Sequence, residues 1–335
     1  MRLHTLAANF VPLIQEFFCL HLVQQKDASS QTVASYRDAF RLLLGYIQRT
    51  RRKQPSALTL ADLDVPTITA FLQHLEKQRG NKTQTRNVRF AAIRSFMKFA
   101  AARDPASLPI IQRVLAIPLK RFPRSALHYL SRDEVTAIVQ APDVSTWTGR
   151  RDRMLFDLLY STGARVSEMT ALCRSDVRLG SSRSIQLTGK GRKQRVVPLR
   201  KNTAQRLREW MTEIGLNQDT PLFPNGKGRH LSRSGVEKRL HKAVQLAARD
   251  CPELRAKRVS PHTFRHTTAM HMLQAGVDIT VIALWLGHES IETTHLYVEA
   301  NLAMKERALS KVEGISTKRL RYRPTDKLLQ FLEDL

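Results

Sequence analysis

The stretch RDRMLFDLLYSTGARVSEMTAL, residues 151–172, holds a helix, its stop signal and the start of a second helix. Residues 151–160 read as an apolar helix. Thr162-Gly163 ends it, because glycine takes the left-handed conformation that closes a helix. Arg165 then opens a further helix ahead of Met169 and Leu172. Arg165 and Glu168 are one turn apart on the same face, so on their own they read as an ordinary ion pair, worth roughly a few tenths of a kcal/mol.

Downstream, Ile185 and Leu187 alternate, Gly189-Lys190-Gly191 follows, and Val197 and Leu199 resume the apolar pattern. This predicts a hairpin with Lys190 near its tip. The turn is not a P-loop, since the glycine spacing and the Ser/Thr after the lysine are absent. Pro261-His262-Thr263-Phe264-Arg265-His266 starts another helix, with Pro261 in its first turn and Gly276 beyond its end. His262 and Arg265 project together. His262 and His266 have the i,i+4 spacing of a zinc pair, but the glutamate of HExxH and an obvious third ligand are missing, so no metal site is assigned. Leu286-Gly287-His288 ends a short apolar helix, and Tyr297 lies on the next, where a lone tyrosine would ordinarily be core packing.

The first third reads as helical throughout. Segments fall near Pro12–Leu22, from the caps Ser29 and Ser30 through Ile47, after Val65-Pro66, and over Thr83–Ala102. Phe10, Ile14, Phe17 and Phe18 recur at helical spacing, and Pro12, Gln15 and Glu16 interrupt the apolar run, which predicts a core helix rather than a targeting segment. In the fourth helix Lys82, Arg86 and Arg89 line one side of the first turns, while Ile93, Phe96, Met97 and Ala100 form an apolar stripe. Pro105, Pro109, Pro118 and Pro123, interspersed with Lys120, Arg121 and Arg124, read as a stiff basic linker over residues 105–128. A second unit then begins at Ser131, which has capping-box spacing to Glu134. The expected class is mainly α with a small β element (α+β).

The 335 residues carry 55 Lys+Arg against 29 Asp+Glu, a formal charge of +26. Residues 1–126 alone hold 20 basic and 7 acidic residues, so the first third supplies half the excess. With 42% hydrophobic residues this is a folded protein facing a polyanion, not a basic tail. Nucleic acid is the leading partner and an anionic membrane surface the second. No segment approaches the ~18 uninterrupted apolar residues of a membrane span. Cys19, Cys173 and Cys251 are scattered, which fits a reducing cytosol.

Taken together, the ordered set stops looking independent. Thr-Gly-Ala-Arg165-Val-Ser-Glu168, Gly-Lys190-Gly, His262-Thr-Phe-Arg265-His, Leu-Gly-His288-Glu-Ser and a tyrosine nine residues later, Tyr297, resemble the catalytic set of the tyrosine recombinases, the phage-integrase family. The layout is similar to members without an arm-binding domain, such as dimer-resolving and transposon-type enzymes. The resemblance implies a helical core-site DNA-binding domain over residues 1–104, a catalytic domain over 129–298 and a C-terminal tail over 299–335 for protomer contacts. It implies a site-specific recombinase or integrase that works through a 3′-phosphotyrosine and a Holliday junction, without metal, ATP or another cofactor. Its partners would be double-stranded DNA and further protomers in a homo- or hetero-tetramer, monomeric or dimeric when free, in the cytoplasm at the nucleoid.

Elementary chemistry agrees with those roles. Planar guanidiniums at Arg165 and Arg265 suit a phosphate whose negative charge grows during attack, and His288 can donate a third hydrogen bond. Tyr297 would be the nucleophile, with His262 the candidate acceptor for its proton and Lys190 the general acid for the departing 5′ oxygen. Glu168 would orient Arg165. For binding, Lys82, Arg86, Arg89, Lys120, Arg121 and Arg124 are candidates in and after the first domain. The helix near Ser232, with Arg233, Lys238, Arg239 and Lys242, is the candidate for the major groove. Two other readings stay open: a type IB topoisomerase with the same chemistry, and a helix-turn-helix regulator built on residues 278–297.

Overall fold

The computed structural model describes residues 10–123, 128–189, 191, 193–215, 217–288, 294 and 297. It divides into two compact units, Met1–Ser125 and Ala126–Leu335.

In the first unit α1 (Phe10–Glu16) runs into a π-helical continuation, Phe17–Gln25. Then follow α2 (Ser30–Arg51), α3 (Val65–Lys77), α4 (Thr83–Ala101) and α5 (Leu108–Leu115). Short polar side chains start two of them: Ser29 accepts from the Thr32 N–H and Asp64 from the Thr67 N–H, each satisfying an orphan donor of a first turn. Phe10, Phe17 and Phe40 surround Phe96 edge to face, with ring centroids 5.3–5.6 Å apart. The N-terminal aromatic stripe is therefore core, as its spacing predicts.

The expected linker over 105–128 is corrected in its first half. Ile111 and Val114 of α5 are fully buried in this unit's core. The Arg94 guanidinium closes the end of α5 by donating to Leu115 O and Ile117 O at 2.6 and 3.0 Å. Pro105 and Pro109 are compatible with helix here because each sits in a first helical turn, where a missing N–H costs nothing.

The second unit contains α6 (Arg132–Gln140), α7 (Trp147–Thr162), α8 (Val166–Ala171), an antiparallel meander of β1 (Val177–Arg178), β2 (Ser184–Thr188) and β3 (Gln194–Pro198), then α9 (Lys201–Glu213), α10 (Arg233–Ala247), α11 (Pro261–Gln274) and α12 (Ile279–Leu286). Helix α7 is the central element; α6, α9 and α11 pack around it, so Leu155, Phe156, Leu158 and Leu159 are all buried. The hairpin pairs Ile185 with Val197 and Leu187 with Arg195, which puts Ile185, Leu187 and Val197 on the core side. Among the described residues no helix is long and apolar enough to cross a membrane.

Candidate active site

The site forms where three helix ends meet. Gly163 ends α7 with φ of +61°, and a Cβ there would come within 2.5 Å of the Leu286 side chain, so glycine permits both the turn and the approach of α12. The chain then turns into α8 with Arg165 as its N-cap. The Glu168 carboxylate accepts from the Arg165 N–H and from Arg165 Nη1, both at 2.8 Å. It also accepts a two-pronged bond from Arg195 on β3, Nη1 at 3.0 Å and Nη2 at 2.8 Å. Burial pushes the Glu168 pKa up, but the bonds from Arg195 and Arg165 outweigh it and hold the acid below the usual carboxylate range. Four hydrogen bonds, two from Arg165 and two from Arg195, therefore fix the Glu168 carboxylate, and Arg165 is held on it rather than in a lone surface ion pair.

Three guanidiniums hold the other end of the cluster. Arg195 Nε donates to Trp285 O at 2.9 Å, Arg265 Nη2 to Leu286 O at 2.7 Å and Arg165 Nη2 to Gly287 O at 3.2 Å. These are consecutive carbonyls at the C-terminus of α12, where orphan acceptors and the negative end of the helix dipole attract cations. Gly287, at φ of +64°, closes the helix and delivers His288. Arg265, 2% exposed, also donates to Gly163 O at 2.8 Å. Burial and the neighbouring Arg165 lower its pKa to about 10, which leaves it protonated at neutral pH.

A cleft of about 380 Å³ opens on this cluster, lined by Arg165, Arg265, His262, Arg233, Ser167 and Ser260. His262 faces it, with its pKa lowered by desolvation and by Arg265, Arg165 and Arg233. The histidine on the Tyr297 hydroxyl is a different one: His266 Nδ1 lies 3.0 Å from Tyr297 Oη. Burial, His262 and Arg265 depress His266 to about 4, so its imidazole is neutral and able to accept a proton. His288 is likewise held at about 4, by burial and then Arg265. Its Nδ1 is 2.7 Å from Thr294 Oγ1, and with that hydroxyl donating, the ring N–H stands on Nε2. The Tyr297 ring stacks on His288 at 12° and is 2% exposed, so burial raises its pKa, while Arg265 and Arg165 lower it.

Arg165, Glu168, His262, Arg265, His288 and Tyr297 thus come together, whereas Lys190 lies outside the described residues. Its hairpin is adjacent all the same: a Cβ on Gly189 would lie 3.1 Å from Glu168 Oε1. The motifs point neither to Arg195 nor to a hydroxyl partner for His266, whose spacing to His262 suggests only a metal pair. A signal for Arg195 exists, since it shares the inward register of β3 with Val197, where an arginine needs a buried partner. Among the described residues no group of three or more His, Cys, Asp or Glu is placed to hold a metal ion.

The binding candidates divide. Lys82, Arg121, Arg233, Lys238 and Lys242 are exposed. Two others have partners inside the protein. Arg86 is buried over the Phe90 ring and bonded to Asn87, because the first turns of α4 are packed on that side. Arg239 donates to Asp152 at 2.8 Å, tying α10 to α7 beside the buried Arg151. Arg89 is half-buried, and exposed Lys120 pairs with Glu76 at 3.1 Å. Arg124 and the tail from residue 299 lie outside the described residues.

Residues 128–304 match the family described as "Phage integrase family", and residues 14–104 match "Phage integrase, N-terminal SAM-like domain". The chain is 48% identical over 98% of its length to y4rC of Sinorhizobium fredii, named as an integrase/recombinase, covering 99% of that protein. It is 33% identical to the tyrosine recombinase XerC of Pelobacter propionicus, covering 87% of this chain and 92% of the relative. In fold it is similar to the XerH site-specific recombinase bound to its difH substrate, with a TM-score of 0.66 at 22% identity over 85% of this chain and 81% of that one.

Proposed function

The chain belongs to the phage integrase family of tyrosine recombinases and is a site-specific DNA recombinase; from that premise we propose that it cuts and rejoins duplex DNA through a 3′-phosphotyrosine on Tyr297. The observation that carries this reading is the Tyr297 hydroxyl on a neutral histidine, in a cluster where Arg165 and Arg195 bind the Glu168 carboxylate and Arg265 bridges Gly163 O and Leu286 O. Among the described residues, Arg165, Arg195, Arg233 and Arg265 stand against Glu168 and Glu237, which leaves two positive charges. A phosphodiester enters with one negative charge and gains more as attack proceeds, so the surplus favours the transition state over the ground state.

Tyr297 Oη attacks phosphorus in line, and its proton passes to His266 Nδ1. Arg165, Arg265 and His288 Nε2 hold the non-bridging oxygens, with His262 at the mouth of the cleft. The bond from phosphorus to the 5′ oxygen breaks, and that oxygen takes a proton from Lys190. The phosphotyrosine keeps the energy of the broken linkage, so the 5′-hydroxyl of another strand reverses the step without ATP or metal. Exchange then runs through a Holliday junction held by four protomers on two duplexes. Exposed Lys82, Arg121, Lys238 and Lys242 supply phosphate contacts. Val281 and Leu284, the latter 72% exposed on α12, give an apolar surface suited to a neighbouring protomer.

The test is covalent capture of wild-type protein on nicked duplexes drawn from a random-sequence library, followed by mass spectrometry of the DNA-linked peptide. Linkage at Tyr297 is expected; linkage elsewhere, or none, overturns the reading.

Proton transfer to His266 sets the acid limit of the reaction. Its depressed pKa keeps the acceptor neutral down to about 4. Single-turnover cleavage should therefore persist below pH 6.5, where a free histidine would already be charged, and fall as pH approaches 4. Stability changes in the same direction. The unfolded chain binds protons at His266 and His288 below about 6.5 and the folded chain only near 4, so acidification through that window favours unfolding. Melting temperature and cleavage rate against pH check both. A cleavage loss centred near 6.5 would remove His266 from the acceptor role.

A further inference from the structure

Arg195 is accounted for neither by the core nor by contact with the cleft. Its side chain is 12% exposed and donates to three oxygens of two residues on two other elements. Nη1 and Nη2 chelate the two oxygens of Glu168 on α8, and Nε takes Trp285 O at the end of α12. The fit is tight: a Cβ on Gly287 would lie 3.0 Å from Arg195 Nη1, so the guanidinium fills the space beside the glycine that delivers His288. Glu168 and the α12 terminus are also the supports of Arg165 and Arg265.

We propose that Arg195 is a positioning residue that locks Glu168 to the C-terminus of α12, so that Arg165, Arg265 and His288 meet the scissile phosphate in one rigid arrangement. The planar guanidinium fork is what the task requires: one flat group offers parallel donors to a carboxylate while a third N–H points to a carbonyl. A lysine has the charge but not the fork. The same contact ties β3, and with it the hairpin, to the two helix ends. Removing the fork leaves the carboxylate and the Trp285 carbonyl short of partners and frees Arg165 to shift, and a misplacement of about 1 Å costs on the order of 10²-fold in rate.

This inference rests on the reading that Arg165 and Arg265 bind the scissile phosphate. Its test uses the nicked duplex recovered by capture on the wild type, in two forms: the natural phosphodiester, and a methylphosphonate at the scissile position, which lacks the charge the arginines neutralise. Arg195→Gln should bind this DNA with unchanged affinity and cleave the phosphodiester about 10²-fold more slowly. On the methylphosphonate its deficit should shrink to less than about tenfold, because misplaced guanidiniums matter less to a neutral centre. Arg195→Lys, which keeps the charge and the aliphatic stem, should remain impaired on the phosphodiester, and it carries the test should the glutamine variant fail to fold. Equal losses on both substrates, wild-type cleavage by either variant, or full rescue by lysine would overturn the proposal. Failure of the underlying reading looks different: Arg165→Ala would then cleave normally, or the wild type would form no covalent complex.

Discussion

Tyr297→Phe should yield a folded protein that binds DNA as the wild type does and forms no covalent complex with a nicked substrate. The substitution removes one oxygen. The ring that packs with Met270, Leu273 and Leu286 stays, and so does its stacking on His288. What is lost is the nucleophile and one hydrogen bond, leaving the half-buried His266 Nδ1 without its phenol, at a cost of about 1–3 kcal/mol. The melting temperature should drop by about 2–10 °C, and a cooperative melt above the assay temperature shows that absence of cleavage is not due to unfolding. Denaturing electrophoresis of the trapped mixture reads the result directly. A covalent band with the phenylalanine variant would move the nucleophile to another residue.

Arg265→Ala should be nearly as damaging to cleavage and far more damaging to the fold. The side chain bridges Gly163 O and Leu286 O from a position 2% exposed, so truncation orphans two buried carbonyls and opens a cavity between the ends of α7 and α12. Each unsatisfied acceptor costs about 1–3 kcal/mol. The catalytic loss should be on the order of 10³-fold, since a preorganised donor to the developing charge disappears. Arg265→Lys separates the two effects. Its charge remains, but a single ammonium cannot bridge both carbonyls and still present two parallel donors to phosphate. It should recover part of the stability and little of the rate, measured by thermal melting and single-turnover cleavage. DNA affinity at low salt should change little in either variant, because it is spread over many exposed cations. A lysine variant with wild-type rate would show that charge alone suffices at this position.

The local structure of the second unit was legible because its signals are local. Gly163 and Gly287 mark helix ends through the backbone conformation they permit, and Ser131 and Pro261 mark helix starts. The alternation of Ile185, Leu187 and Val197 exposed the hairpin. Local signals are ambiguous at Pro105 and Pro109, where a first-turn proline and a linker proline are indistinguishable without knowing what Ile111 and Val114 meet. Arg86 and Arg239, candidates for DNA contact from their basic helical faces, have partners inside the protein that no spacing along the helix reveals.

The sequence by itself determined the chemistry on offer: two helix-end arginines, a hairpin lysine, a pair of histidines one turn apart, and a tyrosine after Leu286-Gly287-His288. It determined too that +26 of charge must face a polyanion. Tertiary structure decided the pairings. Which of His262 and His266 reaches a hydroxyl 31 residues downstream depends on how α11 is rotated against the chain after α12, and helical periodicity puts both on neighbouring faces. That Arg195 shares Glu168 with Arg165 depends on β3 meeting α8 and α12 at one point. Hydrogen bonds between residues 27 to 122 positions apart are set by packing, and no spacing rule along the chain encodes them.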